Sequence, residues 1–108
     1  MDPEDQEYVR IDTTSAPWQP GPVEGAAVMP LFDRKSERVA LWKLAPGTRL
    51  GRHEHPGGEE TFVLDGVLAD ELGRYPKGAW LRNPPGSAHA PFSDEGCLLY
   101  VKTGHLGG

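Results

Sequence analysis

His53 and His55 stand one residue apart in the run GTRLGRHEHPGGEETFVLDG, and two adjacent acids, Glu59 and Glu60, follow a Pro-Gly-Gly turn. Imidazole and carboxylate are the side chains that suit divalent transition metals. If Arg52–His55 is extended, His53 and His55 point to one face, because strand side chains alternate with a period of two. Their rings could then share one ion. The Pro56-Gly57-Gly58 turn would bring the next strand alongside and let Glu59 add a carboxylate. A fourth ligand would have to come from a distant strand. The remaining histidines are His89, in GAWLRNPPGSAHAPFS, and His105, in the terminal GHLGG.

Taken singly, each of these residues has a plainer reading. An isolated His-x-His in a polar loop is a common coincidence, and a pair of glutamates is ordinarily a solvated edge. His89 alone reads as a hydrogen-bonded turn residue, and His105 as part of a mobile tail. Cys97 begins an apolar strand and reads as packing rather than as a thiol ligand. Trp42, Phe62, Trp80, Phe92 and Tyr100 read as core, and Arg52 and Arg82 as solvated edges.

The elements that would position such a site are short strands. At 108 residues the chain has room for one domain and one core. Its 14 glycines and 11 prolines lie between short apolar runs and act as turn punctuation. Strands are expected at Tyr8–Asp12, Ala26–Phe32, Glu37–Ala45, Glu60–Asp65, Val67–Asp70, Gly78–Arg82 and Cys97–Thr103, with Gly66 ending the fourth. No segment repeats, and none sustains apolar residues at helical spacing. The expected class is all-β, a sandwich or barrel of jelly-roll type, over 8–104. Residues 1–7 form an acidic flexible start and 105–108 a flexible tail.

The net charge is −5 and no Lys/Arg run is present, so nucleic acid is not an expected partner. The apolar stretches are too short for a membrane span. An acidic start without a basic and then apolar leader argues against secretion. The single cysteine leaves no internal disulfide. A cytoplasmic protein is expected.

The joint spacing gives the histidines their weight. Gly47-x5-His53-x-His55-x3-Glu59-x6-Gly66 is the first cupin motif in full. Gly78-x5-Pro84-x-Gly86-x2-His89-x3-Ser93 is the second, with Ser93 at a turn position where the pattern has Asn. The sequence resembles the cupin superfamily, over Gly47–Ser93 by motif and most of the chain by strand rhythm. The run GGEETFVLDGVLADELGRYPKGAWLRNPPGSAHAPFSDEGCLLYVK is similar to the cupin half of ChrR-type anti-sigma factors and to small cupins with possible dioxygenase activity. The resemblance implies a jelly-roll β-barrel in which His53, His55, Glu59 and His89 bind one divalent transition metal ion. Fe and Zn come first, with Mn, Ni and Cu also suited. Glu59 is the ligand rather than Glu60 because it fits the six-residue step to Gly66. Glu60 turns away and could orient a histidine. ChrR proteins carry a zinc-binding helical domain ahead of the cupin, whereas the residues before His53 contain no Cys or His. A sigma-factor partner is therefore not expected.

Two functions follow from the resemblance. One is a mononuclear metal-dependent dioxygenase acting on a small enol or diketone-like molecule. The other is a non-catalytic zinc-binding sensor or ligand-binding module in a transcriptional stress response. Sugar isomerisation would need an acid–base pair that these residues do not supply. Either function takes a small-molecule partner, and pairing of sheets into a homodimer is a further implication of the family.

Overall fold

The computed structural model describes residues 7–106. Eleven strands and no helix make up the described residues: β1 Gln19–Pro20, β2 Ala26–Arg34, β3 Glu37–Leu44, β4 Thr48–Arg49, β5 His53–His55, β6 Glu59–Asp70, β7 Gly73–Pro76, β8 Trp80–Asn83, β9 Ser87–His89, β10 Phe92–Ser93 and β11 Cys97–Thr103. Nine of them form one antiparallel sheet, in the order β1-β2-β3-β11-β6-β10-β4, with β7 and β8 also paired to β6. The sheet curls into a half-barrel, and a separate two-stranded sheet, β5-β9, completes the architecture. No described helix is long and apolar enough to cross a membrane.

Alternation along the two central strands builds the core. In β11, Cys97, Leu99 and Val101 are buried, and in β6 so are Glu59, Thr61 and Val63. Leu99 lies opposite Val63, and Val101 opposite Thr61. Residues paired across antiparallel strands share a face, so one inward face carries an apolar centre and a polar end. Ala26, Leu44 and Leu68 pack against the same centre.

Several strands differ from the sequence expectation. Tyr8–Asp12 forms no strand, and Tyr8, Val9 and Ile11 are exposed; no neighbouring strand pairs with the segment. Gly66 does not end a strand. It sits at a kink inside β6, with a φ of 73°, opposite Cys97 and two residues after Leu64, which is skipped where the register with β11 shifts between Leu98 and Leu99. Before the kink β6 pairs with β8, and after it with β7 and β10, so one long strand serves both halves of the barrel wall. Ser93 is fully buried in β10 rather than in a turn, and its hydroxyl donates to the Val67 carbonyl at 2.5 Å. Trp80, Phe62 and Tyr100 are partly exposed on the outer sheet face instead of packing in the core.

Gly66 should tolerate a side chain far less well than Gly78. A Cβ at Gly66 would collide with the Gly96 carbonyl, whereas one at Gly78, whose φ is 93°, would meet nothing within 4 Å. Gly78→Ala should lose about 1–2 kcal/mol from left-handed strain alone. Gly66→Ala should lose about 1–3 kcal/mol more from overpacking. Thermal or urea unfolding of both variants checks the order, and equal losses would contradict the close approach of Gly66 to the Gly96 carbonyl.

Candidate metal centre

The histidines come together through one register. β5 and β9 pair antiparallel with His53 opposite His89, Glu54 opposite Ala88 and His55 opposite Ser87. His53 and His55 therefore share a face, and His89 joins it from the neighbouring strand. The Pro-Gly-Gly turn does not fold β6 back onto β5. It carries the chain into the large sheet, where Glu59 opens β6 and aims inward.

One ligand atom from each of His53, His55, Glu59 and His89 lies within 4.8 Å of the others. Nε2 of His55 and Nε2 of His89 are 3.0 Å apart. The Glu59 carboxylate approaches them at 3.3 Å from His55 and 3.7 Å from His89. His55 and Glu59 are 9% exposed and His89 is 7% exposed, so water cannot solvate the cluster freely. Three residues of one short stretch and a distant histidine thus converge at one point. His105, the other histidine considered for the fourth position, is not among them.

Partners outside the cluster fix the ring orientations. A carbonyl can only accept, so His53 Nδ1 carries the proton that it donates to Gly51 O at 3.1 Å. Its Nε2 is left with a lone pair. His89 Nδ1 likewise donates to Asp70 Oδ2 at 3.3 Å, which frees His89 Nε2 toward the cluster. Asp70 is held in turn by the Tyr75 hydroxyl at 2.7 Å and the Leu72 amide at 2.8 Å. Burial pushes the Asp70 carboxyl up, but these hydrogen bonds and His89 outweigh it and hold the group below its usual value. Tyr75 is pushed up to about 12, first by burial and then by the same bond to Asp70. Asn83 lies opposite Glu59 in β8 and donates Nδ2 to Glu59 Oε1 at 3.0 Å.

The donor set fits a transition metal ion. Two imidazole lone pairs 3.0 Å apart repel unless a proton or a cation lies between them. Ligands each about 2.1 Å from an ion and at right angles to one another are separated by about 3 Å. Three imidazoles and one carboxylate suit Zn, Fe, Mn, Ni or Cu. Burial pushes the His55 imidazole down, Glu59 pulls it partly back, and the other two rings push it down further. Its coordinating, neutral form therefore persists below the ordinary imidazole range.

The cluster forms part of the wall of a cavity of about 460 Å³, lined elsewhere by Trp42, Leu99, Val101 and other mostly apolar groups. That volume accommodates a small organic molecule. Asp70, Tyr75 and Asn83 were not legible as site residues in the sequence; a carboxylate 19 residues from the histidine it orients leaves no local spacing signal. Glu60 faces away from the cluster, as alternation requires, and accepts from His105 Nε2. His105 and Leu106 pack on the turn between β5 and β6, with Leu106 N donating to Gly57 O at 3.0 Å; the last two residues of the expected flexible tail lie outside the described residues. Arg52 is an exposed edge, paired with Glu71 at 3.3 Å. Cys97 is buried in the core cluster.

Comparison with known proteins agrees with this architecture. The family model described as the ChrR cupin-like domain matches residues 6–107. A protein of unknown function with a cupin-like fold from Ralstonia eutropha is 23% identical, with a TM-score of 0.80 over 91% of this chain and 67% of that one. An acetylacetone dioxygenase from Acinetobacter johnsonii is 20% identical, with a TM-score of 0.78 over 91% of this chain and 73% of that one. A chain from the Rhodobacter sphaeroides complex of SigE with the anti-sigma ChrR is 24% identical, with a TM-score of 0.74 over 82% of this chain and half of that one. At these identities the likeness is one of fold. No curated protein matches the chain.

Two outcomes are expected at the cluster. Asp70→Asn should preserve the fold and lower zinc affinity by about 10–100-fold, the usual effect of removing a carboxylate behind a ligating histidine; chelator competition measures it. Acid should also weaken both metal binding and the metal-free fold. His55 takes up a proton less readily folded than unfolded, so its burial is without cost above the unfolded value of about 6.5 and destabilises as pH falls through and below it. Zinc affinity should hold from pH 8 to 7 and fall below about pH 6. A flat profile between pH 5 and 8 would contradict ligation by three imidazoles.

Proposed function

This chain belongs to the ChrR cupin-like family, and we propose that it is a mononuclear metal-dependent dioxygenase acting on a small enol or diketone-like molecule. The observation that carries the reading is the convergence of His53, His55, Glu59 and His89 on the wall of an apolar cavity. In this reading His53, His55 and His89 hold the ion through Nε2, and the Glu59 carboxylate offsets part of its charge. Four protein donors leave one or two positions for exogenous ligands. A bound divalent iron supplies redox chemistry toward dioxygen and Lewis acidity toward a chelating enol. The chain's own residues do the positioning. Asp70 fixes the tautomer and plane of His89, Asn83 holds one oxygen of Glu59, and Trp42, Leu99 and Val101 exclude water from the ligand.

The family itself favours a second reading, a zinc-loaded module that binds a small molecule without transforming it. Zinc has no redox chemistry of its own, so oxygen consumption separates the two.

Protein reconstituted with Fe(II) should consume oxygen in proportion to added pentane-2,4-dione or a related enol, and His89→Ala should reduce uptake to background. Absence of uptake by the iron-loaded protein across a panel of enols, with the same compounds binding the zinc-loaded protein, would overturn the dioxygenase reading in favour of the binding module.

A further inference from the structure

The strand register continues the metal cluster into a second polar feature of the same cavity. Glu59 in β6 lies opposite Thr103 in β11, Thr103 opposite Arg38 in β3, and Arg38 opposite Asp33 in β2. These four residues form one row across four strands, and each lines the cavity. Paired residues of antiparallel strands project from the same face. Neighbouring strands are about 4.8 Å apart, so the Arg38 backbone is about 10 Å from that of Glu59 along the row.

Arg38 is the one lysine or arginine among the cavity's described lining residues. It forms no ion pair with a described residue, although Asp33 is its direct cross-strand neighbour. Asp33 lies one strand farther from Glu59, so an anion held over Thr103 meets the guanidinium before it meets that carboxylate. Thr103 is half-buried between them and adds a hydroxyl donor. The adjacent inward rows, with Val101 beside Ala40 and Leu99 beside Trp42, are apolar apart from Thr61. A ligand in this cavity therefore meets a metal-binding cluster at one end, hydrocarbon along its body and a cation at the rim.

We infer that the cavity is selective for anionic ligands: an enol or diketone that also carries a carboxylate, with the chelating oxygens at the His53–His55–Glu59–His89 cluster and the carboxylate on Arg38. The inference rests on the proposed reading of the cluster as a metal centre that accepts chelating oxygens. Arg38 presents a planar fork that a carboxylate can engage with two hydrogen bonds. It is a specificity residue and takes no part in the chemistry.

The test uses the full chain loaded with zinc, so that binding is read without turnover. Isothermal calorimetry compares 4,6-dioxoheptanoate, a β-diketone with a terminal carboxylate, with its neutral methyl ester. Wild-type protein should bind the acid about tenfold more tightly, as one charge-assisted contact at a solvent-open rim warrants. Arg38→Leu should abolish that preference while leaving the ester's affinity unchanged. Arg38→Lys, which keeps the charge without the fork, should retain part of it. Equal binding of acid and ester by the wild type, or a preference that survives in Arg38→Leu, would overturn the inference and leave the metal-centre reading intact. Failure of both compounds to bind would overturn the chelation reading and this inference with it.

Discussion

The pairing of β5 with β9 sets His53 across from His89, and the site depends on that register more than on any other contact. It places three imidazoles and, from the start of β6, one carboxylate around a point shielded from water. Buried lone pairs that face one another carry an unfavourable energy unless something positive joins them. The two ring nitrogens 3.0 Å apart with Glu59 beside them make the cluster electrostatically incomplete without a proton or an ion. The surrounding hydrogen bonds make the problem sharper. Gly51 O and Asp70 take the Nδ1 protons of His53 and His89, which commits both Nε2 atoms to accepting.

The large sheet serves the site through its alternation. The inward face of β6 runs from Glu59 through Thr61 to Val63, from the His/Glu cluster to cavity wall to core. Leu99 and Val101 belong to the hydrophobic cluster and also line the cavity. Core and cavity wall thus share side chains, and a substitution at these positions would alter both. The bulge at Leu64 shifts the alternation, so β6 keeps this inward face before it and still presents Leu68 and Asp70 after it. Asp70 reaches His89 because of that continuation. The outer ends of the same rows carry Arg38 and Asp33, so the strand pairing that positions the donors also arranges the charge at the mouth.

Much of the His/Glu cluster was legible in the sequence because it is encoded locally. His53, His55 and Glu59 lie within seven residues, and Gly86 marks the turn that leads into β9 and His89. The strand rhythm was legible for β2, β3 and β11, whose short apolar runs are bounded by turn residues. It misled at Tyr8–Asp12, where an alternating pattern has no neighbouring strand to pair with, and at Gly66, where a glycine that ordinarily ends a strand lies inside a continuous one, paired with Cys97. The support of the site was not legible. Asp70 and Asn83 act across 19 and 24 residues, and their roles arise from strand pairing that no local pattern encodes. The exposure of Trp80, Phe62 and Tyr100 was hidden for a related reason: which face of a strand is covered depends on what packs against it.

The central claim is that this cluster holds one transition metal ion, and metal content tests it most directly. The protein would be purified without oxygen or chelators from cells supplied with both iron and zinc, and its metals determined by elemental analysis. The account predicts about one bound ion per chain, lost when His53 or His89 is replaced by alanine. A protein that carries no metal, or one whose metal content is unchanged in both variants, would contradict it.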